Sequence, residues 1–214
     1  MAARMELSMF KGFAAGLAGI LALSAFSAAH AADTPTDPAA KTVQGFYSVL
    51  VDTMKSGAKL GVQGRYAKLK PAVEAAFNLP AMTQFAVGPT WSKYSAAEQK
   101  SLIEAFERMT VSNYAKNFDS YGGQQFVVLP AVISRAPDKV VQSEMRPPKG
   151  DAIKFNYRMR DAGKGEWKVI DVFLAGFTSQ LALRRSEFAD TVAKQGAPGL
   201  IRKMNDVADN AMKG

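Results

Sequence analysis

Apolar residues recur at two different periods along this 214-residue chain, and the point where one period gives way to the other divides it. From Ala39 to Lys55, the residues Val43, Phe46, Tyr47, Leu50 and Met54 fall at three- and four-residue spacing, which predicts a helix closed by Ser56-Gly57 and Gly61. Arg65–Phe77 and Leu79–Phe85 read as short helices interrupted near Pro71 and Pro80. Ser95-Ala-Ala-Glu98 forms a capping box and starts the longest helix. Its stripe runs through Leu102, Phe106, Met109, Thr110, Tyr114 and Phe118, and Tyr121-Gly122-Gly123 ends it after about 26 residues, or about 39 Å.

Beyond Gly123 the period becomes two. Gln125–Ser134 predicts a strand bulged or broken at Pro130, and Val140–Arg146 a second, followed by the turn Pro147–Asp151. In Ile153–Arg160, Ile153, Phe155, Tyr157 and Met159 alternate with Lys154, Asn156, Arg158 and Arg160. Asp161–Gly165 turns the chain into a fourth strand, Glu166–Ala175. Helical spacing then returns in Phe177, Leu181, Leu183, Phe188 and Val192, and Pro198 can start a last helix carrying Leu200, Ile201, Met204 and Val207. Segregated helices and strands predict an α+β fold, with helices gathered on one side of a twisted antiparallel sheet of about four strands.

The fourth strand is unusual. In KVIDVFLAGF, Lys168–Phe177, alternation stops after Asp171, leaving apolar residues for both faces. If Asp161–Gly165 is the loop, pairing joins Met159 to Trp167, Tyr157 to Val169, Phe155 to Asp171 and Ile153 to Phe173. One face then collects Ile153, Phe155, Tyr157, Met159, Trp167, Val169 and Phe173.

Composition narrows the chemistry. Arg4 and Lys11 precede and border an apolar run, Phe13–Phe26, and Ala29-His30-Ala31 fits a cleavage site, so residues 1–31 read as a signal peptide and 32–214 as a single exported domain. The run is about 14 residues, against the roughly 20 of a spanning helix. The sole histidine, His30, lies in that leader, and the chain has no cysteine. The mature chain therefore lacks imidazole bases, thiol nucleophiles and the usual zinc ligands, and neither a cofactor nor a metal is expected. Carboxylates and tyrosines remain, Asp171 with Tyr157 for instance, though Asp171 reads better as an anchor for a strand or turn. Setting aside Arg4, Lys11 and Glu6 from 27 basic and 19 acidic residues leaves a balance of +7, which favours anionic lipid or acidic partners over nucleic acid outside the cytoplasm.

Two stretches resemble a known family. Val87–Gly123 (VGPTWSKYSAAEQKSLIEAFERMTVSNYAKNFDSYGG) and Glu166–Met204 (EWKVIDVFLAGFTSQLALRRSEFADTVAKQGAPGLIRKM) are similar to the MlaC-type, toluene-tolerance proteins, and within them to the hopanoid-associated HpnM branch. Gly176-Phe-Thr and Leu183-Arg184-Arg185 depart from that family's usual Gly-Val-Ser and Asn-Tyr-Arg. The resemblance implies an α+β fold in which a twisted antiparallel sheet is wrapped by helices around an apolar cavity, and a monomeric, non-enzymatic periplasmic carrier of a hopanoid or phospholipid. It would work between an ABC-type or other inner-membrane transporter and an outer-membrane acceptor, with transient membrane-surface contact. With that fold in view, Phe85, Phe106, Phe126, Phe155, Tyr157, Val169, Phe173 and Phe177 are expected to line the ligand site, and Arg65, Lys68, Arg184 and Arg185 to meet headgroups or partners. An adaptor docking a partner through its apolar face, or a carboxylate and tyrosine hydrolase, are the other readings.

Overall fold

The fold is described from a computed structural model covering residues 36–213; the proposed leader and its cleavage point after Ala31 lie outside the described residues. Helix α1 (Pro38–Lys55) is capped by the Asp37 carboxylate, which accepts from the Ala39 amide at 2.8 Å, with Pro38 at its first position. Its stripe Val43, Phe46, Tyr47, Leu50 and Met54 is buried. Helix α2 (Gly57–Ala76) follows without a loop, so Ser56-Gly57 turns the chain but does not end helical structure. The break falls at Gly61, whose φ of 60° is open to glycine at little cost. Pro71 is accommodated inside α2, between the buried Leu69 and Val73.

Helix α3 (Leu79–Val87) leads through a 3-10 segment, Gly88–Lys93, into α4 (Ala96–Asn117). The expected capping box opens α4: the Ser95 hydroxyl accepts from the Glu98 amide, and the Glu98 carboxylate accepts from the Ser95 amide at 2.9 Å. Its 22 residues span about 33 Å. The last helix, α5 (Gln180–Ala211), is two segments meeting at Gly196 (φ 61°) just before Pro198, where the sequence predicts a new start.

Strands β1 (Gln125–Arg135), β2 (Asp138–Arg146), β3 (Ile153–Asp161) and β4 (Trp167–Leu174) form the expected antiparallel meander. A two-residue strand, β5 (Thr178–Ser179), joins at the far edge and makes the sheet five-stranded. It is too short to show a period. As Pro130 suggests, the β1–β2 register shifts between Val128 and Val132.

The β3–β4 register corrects the expected pairing. Strand β3 reaches Asp161, so Asp161 pairs with Trp167 and Met159 with Val169. A bulge then inserts one residue, Ile170, and Arg158 pairs with Asp171, Tyr157 with Val172 and Phe155 with Leu174. Odd positions share a face up to Val169, and even positions take it over beyond. That shift is why KVIDVFLAGF loses its alternation: Val172 and Leu174 join the inner face, and Phe173 crosses to the outer one opposite Asn156.

The inner face looks at the helices. Tyr157, Met159, Val169 and Val141 are buried there against α1, and Leu69, Leu102 and Met109 continue the core through α2 and α4. On the outer face Lys154, Arg158 and Arg160 are exposed. The α2–α3 junction is stitched to the sheet, since the Asn78 amide donates to the Val169 carbonyl at 2.8 Å.

Candidate functional site: an aromatic seam between helix and sheet

Tyr47 joins α1 to the inner face. Its ring lies 5.8 Å from Tyr157 and 5.0 Å from Phe126. The series continues through Phe126 to Phe118 (6.1 Å) and Tyr114 (5.6 Å), then to Phe46 (5.2 Å) and Phe77. Spacings of 5–7 Å are those of rings in favourable edge or offset contact. A continuous aromatic seam thus runs from β3 and β1 across α1 to α4.

Burial sets the polarity of the seam. It pushes the Tyr47 hydroxyl up to about 12 despite its bonds to Ser143 and Tyr157, and it raises Tyr114 and Tyr157 as well. These hydroxyls stay neutral at physiological pH. The seam can solvate hydrocarbon and rings but not a charged substrate.

At the β1 margin the seam opens as a groove of about 300 Å³, lined by Gln44, Tyr47, Ser48, Val51, Asp52, Lys55 and Phe126. Its floor is aromatic and its rim polar. Lys55 lies over the Tyr121 ring at 5.3 Å, and Asp52 is held by Lys68, whose hydrogen bond and charge lower its carboxyl below the ordinary carboxylate range. A second hollow of about 340 Å³ sits between α3, α4 and the β3–β4 turn, beside Phe77, Leu79, Ile103, Glu74 and Glu107. Lys70 bridges Glu74 and Glu107 at its edge, while Phe77, Leu79, Pro80, Ile103 and Ala162 give the rest of the hollow an apolar lining.

The expected lining residues separate into groups. Phe126, Phe155, Tyr157 and Val169 come together on the inner face. Phe106 is buried in the helical layer, in the core of α4. Three others lie away from that face. Phe173 faces outward because of the Ile170 bulge; Phe85 is 45% exposed beneath Arg185, whose guanidinium lies 5.2 Å from its ring; Phe177 is 79% exposed in the β4–β5 turn. Sequence reasoning had Phe46, Tyr47, Tyr114 and Phe118 only as helix core, since a helical stripe does not reveal which of its residues touch the sheet.

The basic residues also divide. Arg65 is only 8% exposed and is structural: its Nε donates to the Ala115 carbonyl at 2.6 Å and its Nη1 to the Gly57 carbonyl at 2.9 Å, tying α2 to the end of α4. Lys68 pairs with Asp52, Arg184 with Glu187 at 2.7 Å, and Arg185 stacks on Phe85. Asp171 is an anchor, as expected. It accepts from the Leu181 amide at 3.1 Å and from the Ser179 hydroxyl at 2.6 Å, holding the start of α5. Its pairing with Arg158 puts it on the face opposite Tyr157, so those two residues do not form a joint site.

Comparison with known proteins bears on this arrangement. The family described as MlaC protein matches residues 44–206, from the start of the groove on α1 to the last turns of α5. The chain belongs to the MlaC family. Among solved structures, a phospholipid-binding protein from Ralstonia solanacearum, determined in complex with a phospholipid, superposes with a TM-score of 0.70 at 22% identity. The match covers 81% of this chain and 98% of that one, and it shows a shared fold. No curated protein matches the sequence. The inner sheet face, the aromatic seam and α1 from Gln44 onward fall within the matched region.

Proposed function

We propose that this protein is a periplasmic lipid-binding carrier that moves a phospholipid or a hopanoid between the inner and outer membranes, its apolar part seated along the aromatic seam. The observation that carries the reading is the groove floored by Tyr47 and Phe126, which connects surface to seam in a chain of the MlaC family. The Ralstonia protein of the same fold was solved with a phospholipid.

The physical task is large. About 30 methylenes at about 0.8 kcal/mol each would cost on the order of 20 kcal/mol to carry bare through water. An apolar seam replaces one hydrocarbon environment with another, so most of that cost cancels and loading and unloading stay nearly balanced. A groove of about 300 Å³ is at the lower end of ligand-site sizes, so a two-chain lipid must part α1 from β1 and β2 as it enters. Lys55 at the rim is placed to meet a phosphate, and Gln44 and Ser48 a hydroxylated headgroup.

Mass spectrometry of organic extracts from the purified protein, made in a host that synthesises both lipid classes, tests the reading. One lipid per chain, of either class, is expected and would name the cargo. Repeated extraction of no stoichiometric lipid would overturn it in favour of a ligand-free adaptor.

A further inference from the structure

Phe177 is the most exposed large apolar side chain among the described residues. It ends the three-residue turn Ala175-Gly176-Phe177 between β4 and β5. The turn is built. Ala175 holds a φ of 55°, a left-handed conformation disfavoured for a residue with a Cβ, and the Asn156 side-chain amide donates to the Gly176 carbonyl at 3.1 Å. That bond folds the turn onto the outer sheet face beside Lys154, whose Cβ and Cδ lie 3.9 Å from where a Gly176 side chain would begin. Lys149, in the β2–β3 loop at the same end of the sheet, is exposed, and neither lysine pairs with a carboxylate of the described residues. Leu183, also exposed, stands in the first turn of α5, directly after β5.

We infer that this end of the sheet docks on an anionic lipid bilayer, with Phe177 entering the interface and Lys154 and Lys149 meeting lipid phosphates. A lone aromatic held outward by a strained turn and flanked by unpaired lysines suits a membrane interface, where aromatic rings and cations are both favoured. A protein partner's pocket would more often meet several clustered anchors. One ring and two charges give weak, salt-sensitive attachment, which suits a protein that must leave again. The inference rests on the carrier reading for its purpose and on the turn for its geometry.

Co-sedimentation with phosphatidylcholine vesicles, with and without phosphatidylglycerol, tests it on the full mature chain. Binding is expected to the anionic vesicles, weakening as salt rises. Phe177→Ser should lower it roughly tenfold, Lys154→Glu should remove most of its salt dependence, and Phe177→Trp should keep it and shift its emission to the blue on vesicle addition. Absence of binding by the native chain, or equal binding by Phe177→Ser, overturns the proposal and points to a protein partner for the turn. Lipid extracted from the same variants is measured separately. Docking lost with cargo retained leaves the carrier reading standing, and cargo absent with docking intact counts against that reading alone.

Discussion

The hydroxyl of Tyr47 lies 2.7 Å from Ser143 Oγ, and Ser143 Oγ in turn donates to the Phe155 carbonyl at 2.6 Å. Ser143 has one proton, given to Phe155, so Tyr47 is the donor to Ser143. This buried relay pins α1 to two neighbouring strands. Tyr47→Phe removes it and leaves the ring, and is expected to cost about 1 kcal/mol. Urea unfolding should show a lower midpoint at an unchanged slope. The proposed route for the lipid parts this same joint, so on that proposal the variant should also exchange bound lipid faster than the native chain.

The buried tyrosines set an alkaline limit. Tyr47 ionises at about 12 in the folded chain against an ordinary 10.0, so its contribution to stability is complete below pH 10 and is lost as pH rises toward 12. Tyr114 and Tyr157 shift in the same direction. Burial also raises Tyr94, so a pH titration followed by tyrosinate absorbance should show these four of the six tyrosines ionising late, together with loss of the circular-dichroism signal. Early, non-cooperative ionisation of all six would contradict the buried seam.

Asp138 anchors the outer face at the β1–β2 hairpin. It is 2% exposed; burial pushes its carboxyl up, and hydrogen bonds from Arg160 (2.6 Å) and Arg158 (2.6 Å) more than offset this, holding it below the usual carboxylate range. Its stabilisation is present above the ordinary carboxylate value of 3.8 and is lost as pH falls through the lower folded value. Asp138→Asn should cost about 2 kcal/mol at neutral pH. It should also flatten the acid limb of the stability profile, and an acid limb identical to the native one would rule this role out.

Arg65 offers a test of structure against headgroup binding. Arg65→Ala leaves the Ala115 and Gly57 carbonyls without their donor and should cost about 2–4 kcal/mol. Arg65→Lys should recover only part, because an ammonium cannot span both acceptors as the guanidinium does. Lipid content per folded molecule should be unchanged in both. A variant of normal stability that has lost its lipid would return Arg65 to the headgroup site.

Most of the architecture is visible in residue periods. The α1 stripe, the α4 capping box and the β3 alternation each follow from local spacing, and all three stand. What escaped is what depends on one residue or on a distant partner. Inserting Ile170 reverses which side Phe173 faces, and no period of two can anticipate that. Pro71 marks a helix break by propensity, yet packing around Leu69 and Val73 keeps the helix, and Gly61 takes the break instead. In the candidate site, that Phe155, Tyr157 and Val169 share a face was legible because alternation assigns one. The exposure of Phe85 and Phe177 was not legible, because an aromatic in an irregular or helical segment carries no sign of which way it points. Tyr47 was hidden in a helical stripe, its bond to Ser143 lying 96 positions away.

Native mass spectrometry of two matched variants tests most directly where the lipid sits. Phe126→Asp puts a charge on the floor of the groove, whereas Phe85→Asp puts one on an already exposed position. The native chain and Phe85→Asp are predicted to carry one lipid each, and folded Phe126→Asp to carry none. Equal lipid on folded Phe126→Asp, or loss on Phe85→Asp alone, would contradict the seam as the binding site.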